Sequence, residues 1–190
     1  MIRLTLLSIL LLTPLLAYKD AAYIGTYGSI QSGSIERQNT TWDLENDGTV
    51  QGFRWGLSRN RDAYALGKFR YEIAYEQRSF EYTQGGQKIQ RGGDHISTSF
   101  AWGQNLDWLL NHEIVPYFRV GGGLGSFSSF SRGSNMLLGV GVVYTMRHFE
   151  LTLGVDREFW QLSGTKIPYK TLIENDAILH NFHAGINWRF

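Results

Sequence analysis

Apolar and polar positions alternate with a period of two through most of the chain, most cleanly over residues 180–190, HNFHAGINWRF. Every second residue back from the end gives Phe190, Trp188, Ile186, Ala184 and Phe182, while Arg189, Asn187, Gly185, His183 and Asn181 fill the other phase. Such a strand lies between two different surroundings. No hydrophobic helix in the sequence could cover the apolar face. Lipid is the alternative solvent, and a closed transmembrane sheet is the architecture that suits it.

Seven earlier segments repeat the alternation. Residues 22–30 interleave glycines with aromatic and aliphatic residues. Residues 50–58 place Phe53, Trp55 and Leu57 opposite Gly52, Arg54 and Gly56. In 68–82, Phe69, Tyr71, Ile73 and Tyr75 alternate with Lys68, Arg70, Glu72, Ala74, Glu76 and Arg78, so five charges share one face. Residues 95–103 send Ile96, Thr98, Phe100 and Trp102 one way and His95, Ser97, Ser99 and Ala101 the other. Residues 116–127 are glycine-rich, 138–146 put Val140, Val142 and Tyr144 on one face, and a strand starting at Phe149 alternates Phe149, Leu151, Leu153 and Val155 with Glu150, Thr152, Gly154, Asp156 and Glu158. Eight strands result. The predicted connections alternate: 31–48 long, 59–63 short, 83–94 medium, 104–113 modest with a possible helical turn, 128–135 medium, 147–148 very short, 161–176 long. With both termini in the periplasm, the longer connections fall outside the cell.

The 190 residues suffice for one domain. One basic residue, Arg3, an apolar run over 4–16 and small Ala17 read as a secretory signal peptide spanning 1–17, leaving 18–190 for the barrel. No later stretch is long and apolar enough for a helical span. The chain has no cysteine, which excludes disulfides and a lipid-modified cysteine. Its 18 basic and 17 acidic residues balance once Arg3 is removed, giving no reason to expect a nucleic-acid partner. Twenty-two glycines, three prolines and 14% aromatic residues suit an all-β chain.

The final strand also carries a resemblance. His183, Gly185, Trp188 and Phe190 match polar-x-Gly-x-x-hydrophobic-x-aromatic, which resembles the C-terminal assembly signal of bacterial outer-membrane proteins. Pro116, Tyr117, Gly121 and Gly123 resemble the Pro-Tyr-x-x-x-Gly-x-Gly pattern of small outer-membrane barrels. Almost the whole chain after residue 17 thus resembles the outer-membrane protein A-like and opacity-protein group of eight-stranded antiparallel transmembrane barrels. That resemblance implies a structural, adhesive or envelope-stability role in the bacterial outer membrane. The implied partners are outer-membrane lipid and lipopolysaccharide, the barrel-assembly machinery during biogenesis, and an extracellular ligand at the loops.

An eight-stranded barrel has an interior filled by side chains. The third and seventh predicted strands lie opposite each other, so Lys68, Arg70 and Arg78 are expected to meet Glu150, Asp156 and Glu158, with Arg54, Arg119 and Glu72 nearby. This interior ion-pair network is the predicted site, and it plugs the lumen. No catalytic, cofactor or metal site is expected: His180 and His183 point to opposite faces, and Gly121-Gly122-Gly123 lacks the lysine of a phosphate loop. His95 and Ser97 resemble the His-x-Ser of outer-membrane lipid A deacylases, where histidine is the base and serine the nucleophile. The match departs at Thr98, where that family has asparagine, and at Leu109, where its acid is expected. A lipid A-modifying enzyme is the alternative reading, and a narrow channel the third. Trp55, Tyr71, Tyr75, Trp102, Tyr144, Trp188 and Phe190 fall on outward phases, as interfacial girdles do. Arg157 is expected on the lipid face near the outer rim. Trp42 and Trp160 are expected on loops, free to stack on a ligand.

Overall fold

The computed structural model describes residues 21–37, 40–44, 48–60, 67–84, 86–104, 106, 113–127, 130–166 and 171–190. The predicted signal peptide and the predicted helical turn within 104–113 lie outside these residues, apart from 104, 106 and 113. The described chain is all strand: β1 (Ala21–Arg37), β2 (Thr40–Asp43), β3 (Gly48–Asn60), β4 (Lys68–Gln84), β5 (Gln87–Gly103), β6 (Glu113–Phe127), β7 (Phe130–Met146), β8 (Phe149–Lys166) and β9 (Thr171–Arg189). Every long strand pairs antiparallel with its neighbour in chain order, and β9 returns to β1 from Tyr23↔Arg189 to Glu36↔Asp176. The ring is therefore closed, with the last strand against β1 across the predicted stretch near Tyr23 to Ile30. Short β2 pairs only with the end of β1, Ser34↔Asp43 to Arg37↔Thr40, and lies outside the ring.

The register fixes the shape. Following paired residues once round the ring from Thr26 leads through Phe53, Tyr75, Ile96, Leu124, Ser134, Gln161 and Asp176 back to Glu36, ten residues further along β1. In an eight-stranded barrel that stagger tilts the strands by roughly 40°. On β8 the outward apolar run extends from Phe149 to Phe159 and is interrupted only by Arg157. At about 3.3 Å per residue and this tilt, the belt stands about 25 Å tall. That is the height of the apolar band of a bilayer-spanning barrel. All the outward phases predicted for these strands face out.

Beyond the belt the pattern inverts. Take the end carrying Phe190 as proximal and the other as distal. On β4 the outward residues are Phe69, Tyr71, Ile73 and Tyr75 up to the belt's edge, then Gln77, Ser79 and Glu81. Its inward residues from Lys68 to Arg78 are charged except Ala74, and Phe80 and Tyr82 follow. β8 does the same: inward Glu158 is followed by inward Trp160 and Leu162, while Gln161 faces out. The distal barrel therefore holds an apolar core, with Ile35, Leu44, Phe80, Tyr82, Phe127, Trp160, Leu162, Ala177 and Leu179 packed together and Trp42 and Ile89 against them. Lipid outside goes with polar inside; water outside goes with apolar inside.

This inversion corrects the predicted connections. Residues 83–94, 128–135 and 161–176 are mostly strand: Gln84 pairs with Gln87, Phe127 with Phe130 and Lys166 with Thr171. Residues 31–48 carry the end of β1 and all of β2, and Leu44 bridges to Tyr82. Trp160 is not on a loop; it is 2% exposed and packs edge-on to Phe127. Polar outward residues had hidden these extensions. At the proximal end, Met146 pairs with Phe149 across a two-residue turn in which Arg147 has φ 42°, as tight hairpins demand.

The chain has no cysteine, so a cross-strand pair can test closure. Thr26→Cys with Ile186→Cys, directly opposite on the outer face, should form an intramolecular disulfide on mild oxidation. Thr26→Cys with Phe182→Cys should not. Equal cross-linking of both pairs would refute the register.

Candidate functional site in the barrel lumen

The strands deliver charges to the lumen at three levels. Proximally, Arg70 of β4 reaches across to Glu150 of β8 at 2.8 Å. Glu150 also accepts from Asn187 Nδ2 at 3.1 Å and lies 3.5 Å from Arg189. The Arg70 guanidinium stacks 4.4 Å over the Tyr23 ring. Lys68 meets Glu113 of β6. In the middle, Arg119 pairs with Asp156 and, at 3.3 Å, with Glu72. Glu72 also lies 3.8 Å from Arg54 and accepts from Tyr23 at 2.9 Å. Distally, Arg78 grips both Glu158 oxygens at 2.7 and 2.8 Å and donates through Nε to Glu76 at 2.8 Å. Such forked geometry gives an arginine–carboxylate pair both strength and orientation.

The two pairs across the lumen, Arg70–Glu150 and Arg78–Glu158, are each 80 residues apart. Strands four places apart in an antiparallel ring run the same way. Moving eight residues along β4 therefore keeps step with eight along β8.

All nine predicted residues, Arg54, Lys68, Arg70, Glu72, Arg78, Arg119, Glu150, Asp156 and Glu158, face inward. Two pairings differ from expectation. Lys68 meets Glu113 at the proximal rim, and Asp156 is taken by Arg119, which stands between β4 and β8 in the ring. Further members had been left out. Glu76 and His95 sit on inward phases and meet at 2.7 Å, which alternation alone could have indicated. Asn181 Nδ2 and Trp160 Nε1 both donate to Glu158, at 2.8 and 2.6 Å. Tyr23 and Tyr27, donors to Glu72 and Glu76, were illegible because β1 carries apolar residues on both phases.

Glycines make these contacts possible. Strands two apart in the ring are about 9.6 Å apart, and an ordinary side chain between them would stand in the way. Several inward rows place glycine at that middle position. Arg119–Gly139–Asp156, Tyr23–Gly56–Glu72, Tyr27–Gly52–Glu76 and Arg54–Gly25–Asn187 are each consecutive partners in the ladders. In each the outer two side chains join over the glycine. A Cβ at Gly139 would run into the Asp156 carboxylate. Tyr117 of the Pro-Tyr motif crosses Gly141 and Gly154 in the same way: a Cβ at Gly154 would stand 2.8 Å from its hydroxyl and 2.6 Å from His183 Nε2.

His95 and Ser97 both face the lumen and are buried. His95 Nδ1 contacts Glu76 and its Nε2 lies 3.1 Å from Asn135, so both ring nitrogens are engaged within the plug. The C-terminal pattern is divided between faces. His183 lies inside, 3.3 Å from Asp156, and Gly185 makes room for Tyr27 and Arg54. Trp188 and Phe190 face out, and Trp188 packs edge-on to Phe149 at 4.6 Å. Between Arg54, Arg70, Glu72 and Arg119 the remaining cavity is about 10 Å³. That is room for one water at most.

No protein-family model and no curated protein sequence matches the chain. Solved structures do. Neisserial surface protein A aligns over 90% of this chain and 99% of its own at 14% identity, with a TM-score of 0.58. The fold is that of the small eight-stranded outer-membrane barrels. The outer membrane protein OprG from Pseudomonas aeruginosa aligns over 90% of this chain and 95% of its own at 10% identity, TM-score 0.50. The outer membrane enzyme PagL aligns at 17% identity over 82% and 97%, with a TM-score of 0.45; a likeness that loose carries no statement about this chain's activity.

Removing one partner of a buried pair strands the other charge, at a cost of about 3–5 kcal/mol. Arg70→Ala should therefore lower the melting temperature in detergent micelles, and unchanged melting would rule out a stabilising network. Glycine position supplies a second test. Gly139→Ala should destabilise, whereas Gly28→Ala, on the outer face with 3.7 Å to its nearest contact, should melt like the parent. Equal effects at the two sites would refute the spacer role.

Proposed function

We propose that the chain resides in a bacterial outer membrane as a non-conducting structural barrel that presents its distal rim to extracellular partners. The filled lumen carries this reading. Paired charges occupy the membrane-height interior, the cavity between Arg54, Arg70, Glu72 and Arg119 is about 10 Å³, and the apolar distal core lies over them. In this reading the proximal end faces the periplasm. The distal hairpins, including the β1–β2 extension, face outward.

His183, Gly185, Trp188 and Phe190 serve the barrel-assembly machinery as its recognition pattern, with Trp188 and Phe190 exposed to it and Gly185 needed for closure. The inward direction of His95 and Ser97 favours this reading over a lipid A-modifying enzyme, because an acyl ester in the bilayer would have no route to a serine inside the plug.

Planar-bilayer recording on the purified barrel separates a plug from a pore. The expected trace is flat, and reproducible unitary steps would overturn the proposal. Phe190→Ala should reduce the folded, heat-modifiable species in the outer-membrane fraction without moving the melting temperature of protein refolded in detergent. Undiminished accumulation would remove the assembly role.

A further inference from the structure

The apolar belt contains one polar row near its distal edge. Arg157 of β8 pairs directly with His180 of β9, and His180 with Ser32 of β1. Arg157 and His180 are exposed on the outer face. The next outward residues distally are Met136, Phe159, Ile178 and Ser34, and proximally Val140, Val155, Phe182 and Ile30. Leu138 closes the row on the β7 side. No carboxylate stands among these outward neighbours. The Arg157 guanidinium leans distally, 5.1 Å over the Phe159 ring, and so approaches the belt's edge while its stem stays among apolar groups.

A planar guanidinium beside an imidazole, at the boundary where hydrocarbon gives way to headgroups, suits a tetrahedral oxyanion. The guanidinium offers two parallel N–H donors, and a histidine about 5 Å away on the next strand offers a third. We propose that Arg157 and His180, with Ser32 at the end of the row, bind the phosphate of an outer-leaflet phosphorylated lipid. Its acyl chains would run proximally down the wall over Val155, Phe182 and Leu153. The surroundings commit the site to lipid rather than a free ion, because apolar residues flank the cation above and below. This inference rests on the proposed outer-membrane residence and adds to it a defined lipid contact.

The test uses the full mature barrel refolded in phosphatidylcholine nanodiscs doped with bisphosphorylated lipid A, or with the same lipid dephosphorylated. Native mass spectrometry reads the lipid retained on the released barrel. The parent should retain the phosphorylated form at least about tenfold over the dephosphorylated one. The double variant Arg157→Gln/His180→Gln should lose that preference, and Arg147→Gln, on the proximal turn, should keep it. Heat-modifiable mobility run alongside shows whether each variant is folded.

A folded parent without phosphate preference, or a preference that survives in the double variant, overturns the site. Abolition by millimolar inorganic phosphate overturns the lipid as its occupant. A parent that fails to insert into lipid at all instead refutes the membrane reading beneath it.

Discussion

Charges enclosed in a lumen filled by side chains must meet one another, and the rest of this structure follows from that requirement. Closure with a ten-residue stagger leaves no radius for hydrated ions, so each arginine has to reach an acid on another strand. Reaching it takes room, and the inward glycines provide it. The high glycine content, which composition alone would assign to turns and flexibility, is largely a set of spacers lying under side-chain contacts. Two polar side chains joined over a glycine in one ladder row, as in Arg119–Gly139–Asp156 and Tyr23–Gly56–Glu72, form the recurring unit of the interior.

The membrane boundary is written in both faces at once. Outward residues change from apolar to polar at the distal edge of the belt, and inward residues change the other way within a residue or two. The distal part is built like a small water-soluble barrel fused to the bilayer-spanning part on the same strands. Its apolar interior lies over the polar one, so the plug is two layers of different chemistry. The lower layer is held by ion pairs, the upper by burial of Phe80, Phe127, Trp160 and Leu162.

Alternation exposed the outward faces of β3, β4, β5, β7, β8 and β9 in the belt and the members of the lumen set on β3, β4, β6 and β8, because lipid outside and charge inside give the strongest contrast a strand can carry. It also indicated that β9 meets β1. It failed where the contrast reverses: 83–94 and Gln161 to Asp176 are rich in polar and loop-forming residues and read as loops, although Trp160 and Leu162 keep the inward period of β8. β1 was opaque for another reason. Tyr23 and Tyr27 face in while Ile24 and Ile30 face out, so both phases look apolar and only the hydroxyls' partners, Glu72 and Glu76, distinguish them. Pairings across the ring were legible only in outline, since the choice between Lys68 and Arg119 as partner of Asp156 depends on the stagger.

The two cross-lumen pairs also bear on the shape of the ring. Arg70 and Arg78 of β4 are tied to Glu150 and Glu158 of β8, four strands away, at two levels eight residues apart. Flattening the barrel so that β4 and β8 separate would part both pairs and strand buried charges. The pairs that fill the lumen are thus two struts across its width, and its cross-section is held from inside as well as by the seam between β1 and β9.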